Sequence, residues 1–435
     1  MSLDRNAAAP TGTRQPSRRA LRGLDGLNFF LADVRDGLGP YLAIYLIAVR
    51  GPEQGWNEAT AGLVMTIAGI AGLVAQTPAG ALIDKSRHKR AVVIAGAIAV
   101  TLSCLALPFL SNFALVAATQ SVAGIAGAIF PPALAAITLG IVGPKAFSKR
   151  IGRNEGFNHA GNAVSAGLAG ILAYWFGPIV VFWLMAVLAV ASIGAMLAVP
   201  ADAIDDDLAR GLDDGDPGQQ GEQASGFSVL LSNKPLLLFA LLCAAFHLAN
   251  AAMLTSVGQL LTRVSGKEHA TSLIAICIVA AQCVMVPVAL FVGAQADRIG
   301  RKPIFLVAFG VLAVRGVLYT FSDAPFYLVA VQCLDGIGAG VYGALFPIVV
   351  ADLTRGTGRF NVAQGAVATA QGLGASLSAT LAGFIIVGAG YDTAFLVLAA
   401  IAGAGFVVFL TLMPETRDKT ARSEDPAAAV AAPAA

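Results

Sequence analysis

The sequence predicts an all-α membrane protein, with twelve transmembrane helices arranged as two pseudo-symmetric six-helix bundles. Three observations predict it. Of the 435 residues 57% are apolar and 12% charged, and mean hydropathy is +0.75, whereas a soluble domain is nearer one-quarter charged. Apolar runs of about 20 residues recur, each closed by a polar or Gly/Pro cluster, and that length crosses a bilayer. Finally, segments of the first half return in the second at nearly constant spacing. Gly80–Arg90 (GALIDKSRHKR) matches Gly293–Pro303 (GAQADRIGRKP), and Gly124–Thr138 matches Gly340–Thr354. A repeated six-span unit implies two bundles related by an axis along the membrane normal, with a site between them near the midplane.

In chain order, residues 1–22 form a basic tail without an apolar stretch behind its arginines, so they do not read as a cleaved signal. The first bundle covers 23–200, with spans near 24–48, 60–82, 90–110, 114–140, 152–176 and 179–199. Residues 201–228 follow, with eight acids and one arginine up to Gly226, and read as a solvated, disordered linker. The second bundle covers 229–414, with spans near 235–261, 271–295, 303–321, 326–351, 361–388 and 392–413. Residues 415–435 form a low-complexity tail. Abundant Gly and Ala inside the spans let helices approach closely where lipid offers no hydrophobic drive between them.

Lys and Arg set the orientation. With the N-terminus inside, the short inner loops carry Lys85, Arg87, Lys89, Arg90, Lys145, Lys149, Arg150, Arg153, Arg298, Arg301, Lys302, Arg355 and Arg359. The outer loops carry only Arg50, Arg263 and Lys267, so both termini are expected in the cytoplasm of a cell whose inner membrane holds the protein. The five cysteines all lie in apolar runs without CxxC spacing and read as small buried hydrophobes.

Gly293, Asp297, Arg298, Gly300, Arg301 and Lys302 resemble the G-x-x-x-D-R-x-G-R-K loop of the major facilitator superfamily, and Gly80, Asp84, Lys85, Arg87, Lys89 and Arg90 form a similar first copy. The resemblance implies alternating access and a cavity lined by spans 1, 2, 4, 5, 7, 8, 10 and 11. An Asp at a helix end can accept from the free N–H groups of a neighbouring helix N-terminus. The following Arg can pair with an acid, and Asp352 is the candidate for Arg298 or Arg301. Because Asp352 has Ala136 as its repeat-mate, and Arg87 replaces a Gly, the second copy is expected to hold the stronger inner latch. Two drug-antiporter patterns are missing: Gln120 stands where the fourth span would carry Arg, and the fifth span lacks Pro in 160–170.

The segment ADVRD places Asp33, Arg35 and Asp36 inside the first span. Asp36 lies about 18 Å from the span's start, close to the midplane. Each charge would cost roughly 2.5–3.5 kcal/mol facing lipid, so all three must face protein or a wet cavity. Asp33 and Asp36 share a stripe with Gly37 and Pro40, while Arg35 falls roughly opposite with Asn28. Two carboxylates one turn apart in a low dielectric do not both ionise, which suits a proton carrier. Repeat arithmetic answers them with His247 and Asn250 on the seventh span, and imidazole also handles protons near neutrality.

Asn158, Asn162, Gln282, Asp335, Tyr342 and Gln371 lie at similar depth and join Arg35 and Asn250 as candidate substrate contacts. Arg315 is expected to pair with Asp335, because a buried lone charge is costly. No phosphate loop, H-E-x-x-H or G-x-S-x-G occurs, so neither an enzyme nor a nucleotide-driven pump is expected, and no cofactor or metal is called for. The expected function is secondary active transport, as proton-coupled export of a small organic compound by a monomer in the bilayer, with no nucleic-acid partner. Uptake of a polar or anionic metabolite through Arg35 and a non-transporting receptor are the alternatives.

Overall fold

A computed structural model describes residues 16–35, 42, 45–50, 54–56, 58–177, 179–212 and 228–417. Asp36, Gly37 and Pro40 lie outside the described residues, so the first span's aspartate pair is only half represented.

The first half comprises α1 (Arg18–Arg35), α2 (Glu58–Lys85), α3 (Lys89–Leu105), α4 (Phe113–Gly127), α5 (Phe130–Phe176) and α6 (Val180–Ala198). The second comprises α7 (Lys234–Ile299), α8 (Arg301–Leu318), α9 (Pro325–Thr354) and α10 (Phe360–Leu412). Three of these are longer than one membrane crossing, and each divides. Gly143 (φ 68°) breaks α5 and Gly390 (φ 87°) breaks α10, both in a left-handed conformation that only glycine adopts without strain. In α7 the sign is a contact: a Cβ on Gly258 would sit 3.1 Å from Ile274 Cδ1. Sixteen residues of straight helix span about 24 Å, so the chain reverses between them. Among the described residues, eight stretches are long and apolar enough to cross a membrane.

Buried apolar side chains form two cores. One draws on α1 to α6 and the other on α7 to α10 with a few residues of α5. Large apolar side chains on the outside, such as Leu102, Trp175, Trp183, Val190, Phe384 and Val387, remain exposed. In water they would be a liability; against lipid they are the expected surface.

The linker reading is corrected for residues 201–212, while 213–227 lie outside the described residues. Residues 201–212 are not a solvated coil but a strap folded against the basic end of the first half. Lys89, buried in α3, donates to Asp206 at 2.6 Å, and Asp205 N–H donates to Gly140 O at 3.0 Å. Ala209 and Leu212 are buried, and the strap reaches the second half where Gly356 N–H donates to Gly211 O at 2.7 Å. Ile204, Leu208 and Leu212 recur every fourth residue, an apolar signal that the acids around them hide.

Candidate functional site

The halves meet closely at one end. A Cβ on Gly80 would lie 2.1 Å from Asn361 O, and one on Gly365 would lie 2.3 Å from Gln76 O, so α2 and α10 touch backbone to backbone. The pseudo-symmetric pair is α5 with α7, where a Cβ on Gly152 would lie 2.4 Å from Gly293 Cα. Both seams sit beside the basic loops. At the other end of α2 and α10, Gly62, Gly383 and Gly388 face open space.

The two loop motifs bolt these seams. Asp84 accepts from Asn361 N–H (3.2 Å), Asn361 Nδ2 (2.7 Å) and Val362 N–H (2.9 Å), capping α10 from the opposite half. Asn361 Nδ2 also donates to Ala209 O at 2.9 Å, tying the strap into the same joint. In the second copy Asp297 accepts from Ser148 Oγ at 2.9 Å across α5–α7, and pairs with Arg301 at 2.7 Å. Arg301, rather than Arg298, binds Asp352 at 2.9 Å; Arg298 is exposed. Three hydrogen bonds cross between the halves at Asp84, and two cross at the second copy, from Ser148 Oγ to Asp297 and from Arg301 Nη2 to Ser148 Oγ (3.4 Å), so both copies latch a seam. Asp84 accepts from a helix N-terminus, a contact that does not call on an acid at the position of Ala136. Lys85 and Arg87 are exposed, Arg90 donates to Leu197 O at 3.3 Å, and the N–H groups of Arg301 and Lys302 beyond Gly300 are capped by Glu415.

Above the seams lies a cavity of about 1230 Å³ bounded by both halves. Of the expected residues, Arg35, Asn158, His247, Asn250, Tyr342 and Gln371 border it. Tyr342 OH donates to Gln371 Oε1 at 3.0 Å, joining α9 to α10, and its ring meets His247 edge-on at 4.6 Å. The first-span phase is a correction. Asn28 and Arg35, seven residues apart on α1, border the cavity together with Leu42, whereas Asp33 is half-buried and off the wall. The cost of burying charge requires each group to leave lipid but does not choose which one faces water. Asn162, Gln282 and Asp335 also lie off the wall. Arg315 donates to Asp335, to Asn250 and to Met253 Sδ (3.1 Å), and Gln332 Nε2 donates to Asp335 at 3.1 Å. Asn250 thus carries a cavity face on one side and the Arg315 network on the other.

Glu155 and His159 were not anticipated, yet both border the cavity. With Asn158 and Asn162 they fill i, i+3, i+4 and i+7 of one helical face, the signal that would have found them. His159 Nδ1 pairs with Gln282 Oε1 at 2.8 Å across the halves, and Asn158 Nδ2 donates to Glu155 at 3.3 Å. Gln76 Oε1, Gln120 Nε2, Gln364 Oε1 and His159 Nε2 are buried around the cavity without protein partners. Such groups suit a polar organic solute or bound water.

A model of the Major Facilitator Superfamily matches residues 26–293 and 266–434. The chain belongs to that superfamily. An uncharacterized MFS-type transporter of Mycobacterium tuberculosis, present in strains CDC 1551 / Oshkosh and H37Rv, is 56% identical over 404 residues, covering 93% of this chain and 95% of the relative. The crystal structure of the human organic anion transporter MFSD10 (TETRAN) aligns with a TM-score of 0.66 and 16% identity, over 90% of this chain and 99% of that one. At that identity it supports the superfamily's fold alone. As a superfamily member the chain is a multi-pass membrane transporter of small molecules and not an enzyme.

Proposed function

We propose that this transporter is a proton-coupled exporter of a small organic compound, working by alternating access in the cell's inner membrane with both termini cytoplasmic. The observation that carries the reading is the cavity between the halves, closed at the basic end and bordered by Arg35, Glu155, His159 and His247. Taking the basic loops as cytoplasmic, this conformation faces outward. Rocking the halves would part the Gly80–Asn361 and Gly152–Gly293 seams and open the same site inward. The unpartnered amides supply hydrogen bonds to an organic solute, and the proton is assigned to the first-span acids Asp33 and Asp36 on the strength of the sequence alone. Each 100 mV of membrane potential supplies about 2.3 kcal/mol per transferred charge.

The test is proton-driven efflux from proteoliposomes by wild type and Asp36→Asn. Loss of the drive in the variant is expected, and undiminished, still pH-dependent transport by it would refute the reading. A second reading rests on Arg35, the cationic group on the cavity wall: uptake of a polar or anionic metabolite. A carboxylate substrate that requires Arg35 and ignores Asp36 would decide for it.

A further inference from the structure

We infer that Arg315, beyond pairing with Asp335, fixes the amide of Asn250 as a hydrogen-bond donor to the cavity, so that the transported compound presents an oxygen acceptor, a carbonyl or carboxylate, to the second half. The inference deepens the proposed function by naming chemistry that its substrate carries. It rests on the cavity being the substrate site, and not on proton coupling or the direction of transport.

A side-chain amide has an accepting end and a donating end of nearly the same shape, so its partners decide which way it points. At Asn250 the partner leaves no choice. A guanidinium carries five N–H donors and no acceptor, and Arg315 Nη2 donates to Asn250, so the atom turned toward it is Oδ1. Asn250 also borders the cavity. The amide atom left for a solute is Nδ2, which only donates.

The guanidinium is itself held in place. Arg315 is 2% exposed on α8, its Nη1 donates to Asp335 of α9, and its Nη2 lies 3.1 Å from Met253 Sδ of α7. Asp335 accepts in turn from Gln332 Nε2 at 3.1 Å, and the buried Gln332 accepts from Tyr319 OH. Turning the Asn250 amide over would set two donors against each other and leave a buried charged N–H without its acceptor, which is costly.

The other polar groups of the wall divide by the same rule. Tyr342 OH donates to Gln371 Oε1 at 3.0 Å, so Gln371 likewise offers Nε2. His247 is fixed in the opposite sense: Nδ1 lies 3.1 Å from Cys243 O, a carbonyl that only accepts, which leaves Nε2 as an acceptor three residues before Asn250. Gln76 Oε1, Gln120 Nε2 and Gln364 Oε1 are buried without protein partners, and those amides can turn to suit a solute. Selectivity therefore resides in the pinned groups of the second half. Asn250 and Gln371 welcome an oxygen and oppose a donor, while His247 leaves a place for a donor elsewhere on the same compound.

The test is ligand-observed NMR on the full chain in lipid nanodiscs at pH 8, with empty nanodiscs as background. The probes are N,N-dimethylbenzamide, whose carbonyl only accepts, and aniline, uncharged at that pH, whose amino group chiefly donates. Neither carries a charge, so Arg35 and Glu155 do not choose between them, and a phenyl ring suits the Phe246, Tyr342 and Phe346 side chains bordering the cavity. Wild type should bind the benzamide about fivefold tighter than aniline. Asn250→Asp keeps an oxygen for Arg315 and turns a second oxygen to the cavity, so the affinity ratio should fall about tenfold, in favour of aniline. In Arg315→Met with Asp335→Leu the Asn250 amide is no longer pinned. The ratio should then approach one because aniline gains, which a mere loss of packing would not produce. Asn250→Asp decides the matter should the double variant not fold. A ratio near one in wild type, or the wild-type ratio retained in the variants, would overturn the inference and leave the cavity as the substrate site. Absence of binding of either probe to wild type would overturn it together with that site. Proton coupling is tested separately, by the Asp36→Asn efflux comparison.

Discussion

The tightest joint in the molecule predicts what one methyl group would do. In Gly80→Ala the new Cβ falls 2.1 Å from Asn361 O, 2.6 Å from Asn361 C and 3.0 Å from Val362 Cα. Ordinary contact with that oxygen is more than 1 Å farther out, and its neighbours are backbone, which cannot rotate away. Overpacking of this kind costs about 1–3 kcal/mol. The displacement also stretches the three bonds that Asp84 accepts, one turn along, which now lie at 2.7–3.2 Å, and each is worth about 1 kcal/mol net. Taking roughly 3 kcal/mol for the non-additive total, the sealed-to-open ratio falls about 100-fold, at 1.4 kcal/mol per tenfold. Spin labels at Leu82 and Ile299 read that ratio directly. Gly62→Ala, whose Cβ would meet nothing within 4 Å, is the control and should match wild type. A Gly80→Ala protein that stays folded with the wild-type distance distribution would refute the reasoning.

Asp84→Ala removes the α10 cap and should shift the same distribution toward open by about 1–3 kcal/mol, with Asp84→Asn milder because one acceptor remains. Arg315→Met alone should lower thermal stability by about 3–5 kcal/mol by stranding Asp335, whereas Arg315→Met with Asp335→Leu should recover much of it, as a double-mutant cycle by thermal unfolding would show. Asp206→Ala leaves the Lys89 ammonium buried against Ser86 O alone; it should loosen the strap by about 1–2 kcal/mol, measured as faster proteolysis at the basic end.

Much of the architecture was legible in the sequence because bilayer physics is strict. Long apolar runs, basic loops and a repeat at constant spacing leave few alternatives, and the Arg315–Asp335 contact followed from the cost of a lone buried charge. The site was less legible. Helical period places Asn28 and Arg35 on one face and Asp33 on another, but it does not say which face meets the cavity; that depends on how α1 packs on α5, where a Cβ on Gly161 would lie 2.1 Å from Phe29 O. Glu155 and His159 were overlooked because the arginines and lysine just before them read as the end of a loop. The strap was overlooked because acids dominate composition averages, while its anchors are the buried Ala209 and Leu212, the packed Ile204, a backbone carbonyl and one ion pair.

The glycine seams have a kinetic consequence. Where two helices meet through backbone alone, separating them releases no interlocked side chains and requires no rotamer exchange. At those glycine contacts the resistance to parting comes from a few polar bolts and from the strap. Two conformations separated by such a joint can lie within a few kcal/mol of each other, the range in which a single bound proton or solute redistributes them. Away from these glycine contacts the second core does reach across, through Leu139, Phe147 and Ile151 of α5, with the Phe147 ring 6.0 Å from that of Phe360; motion at the dividing surface must therefore release these side chains as well as the polar bolts.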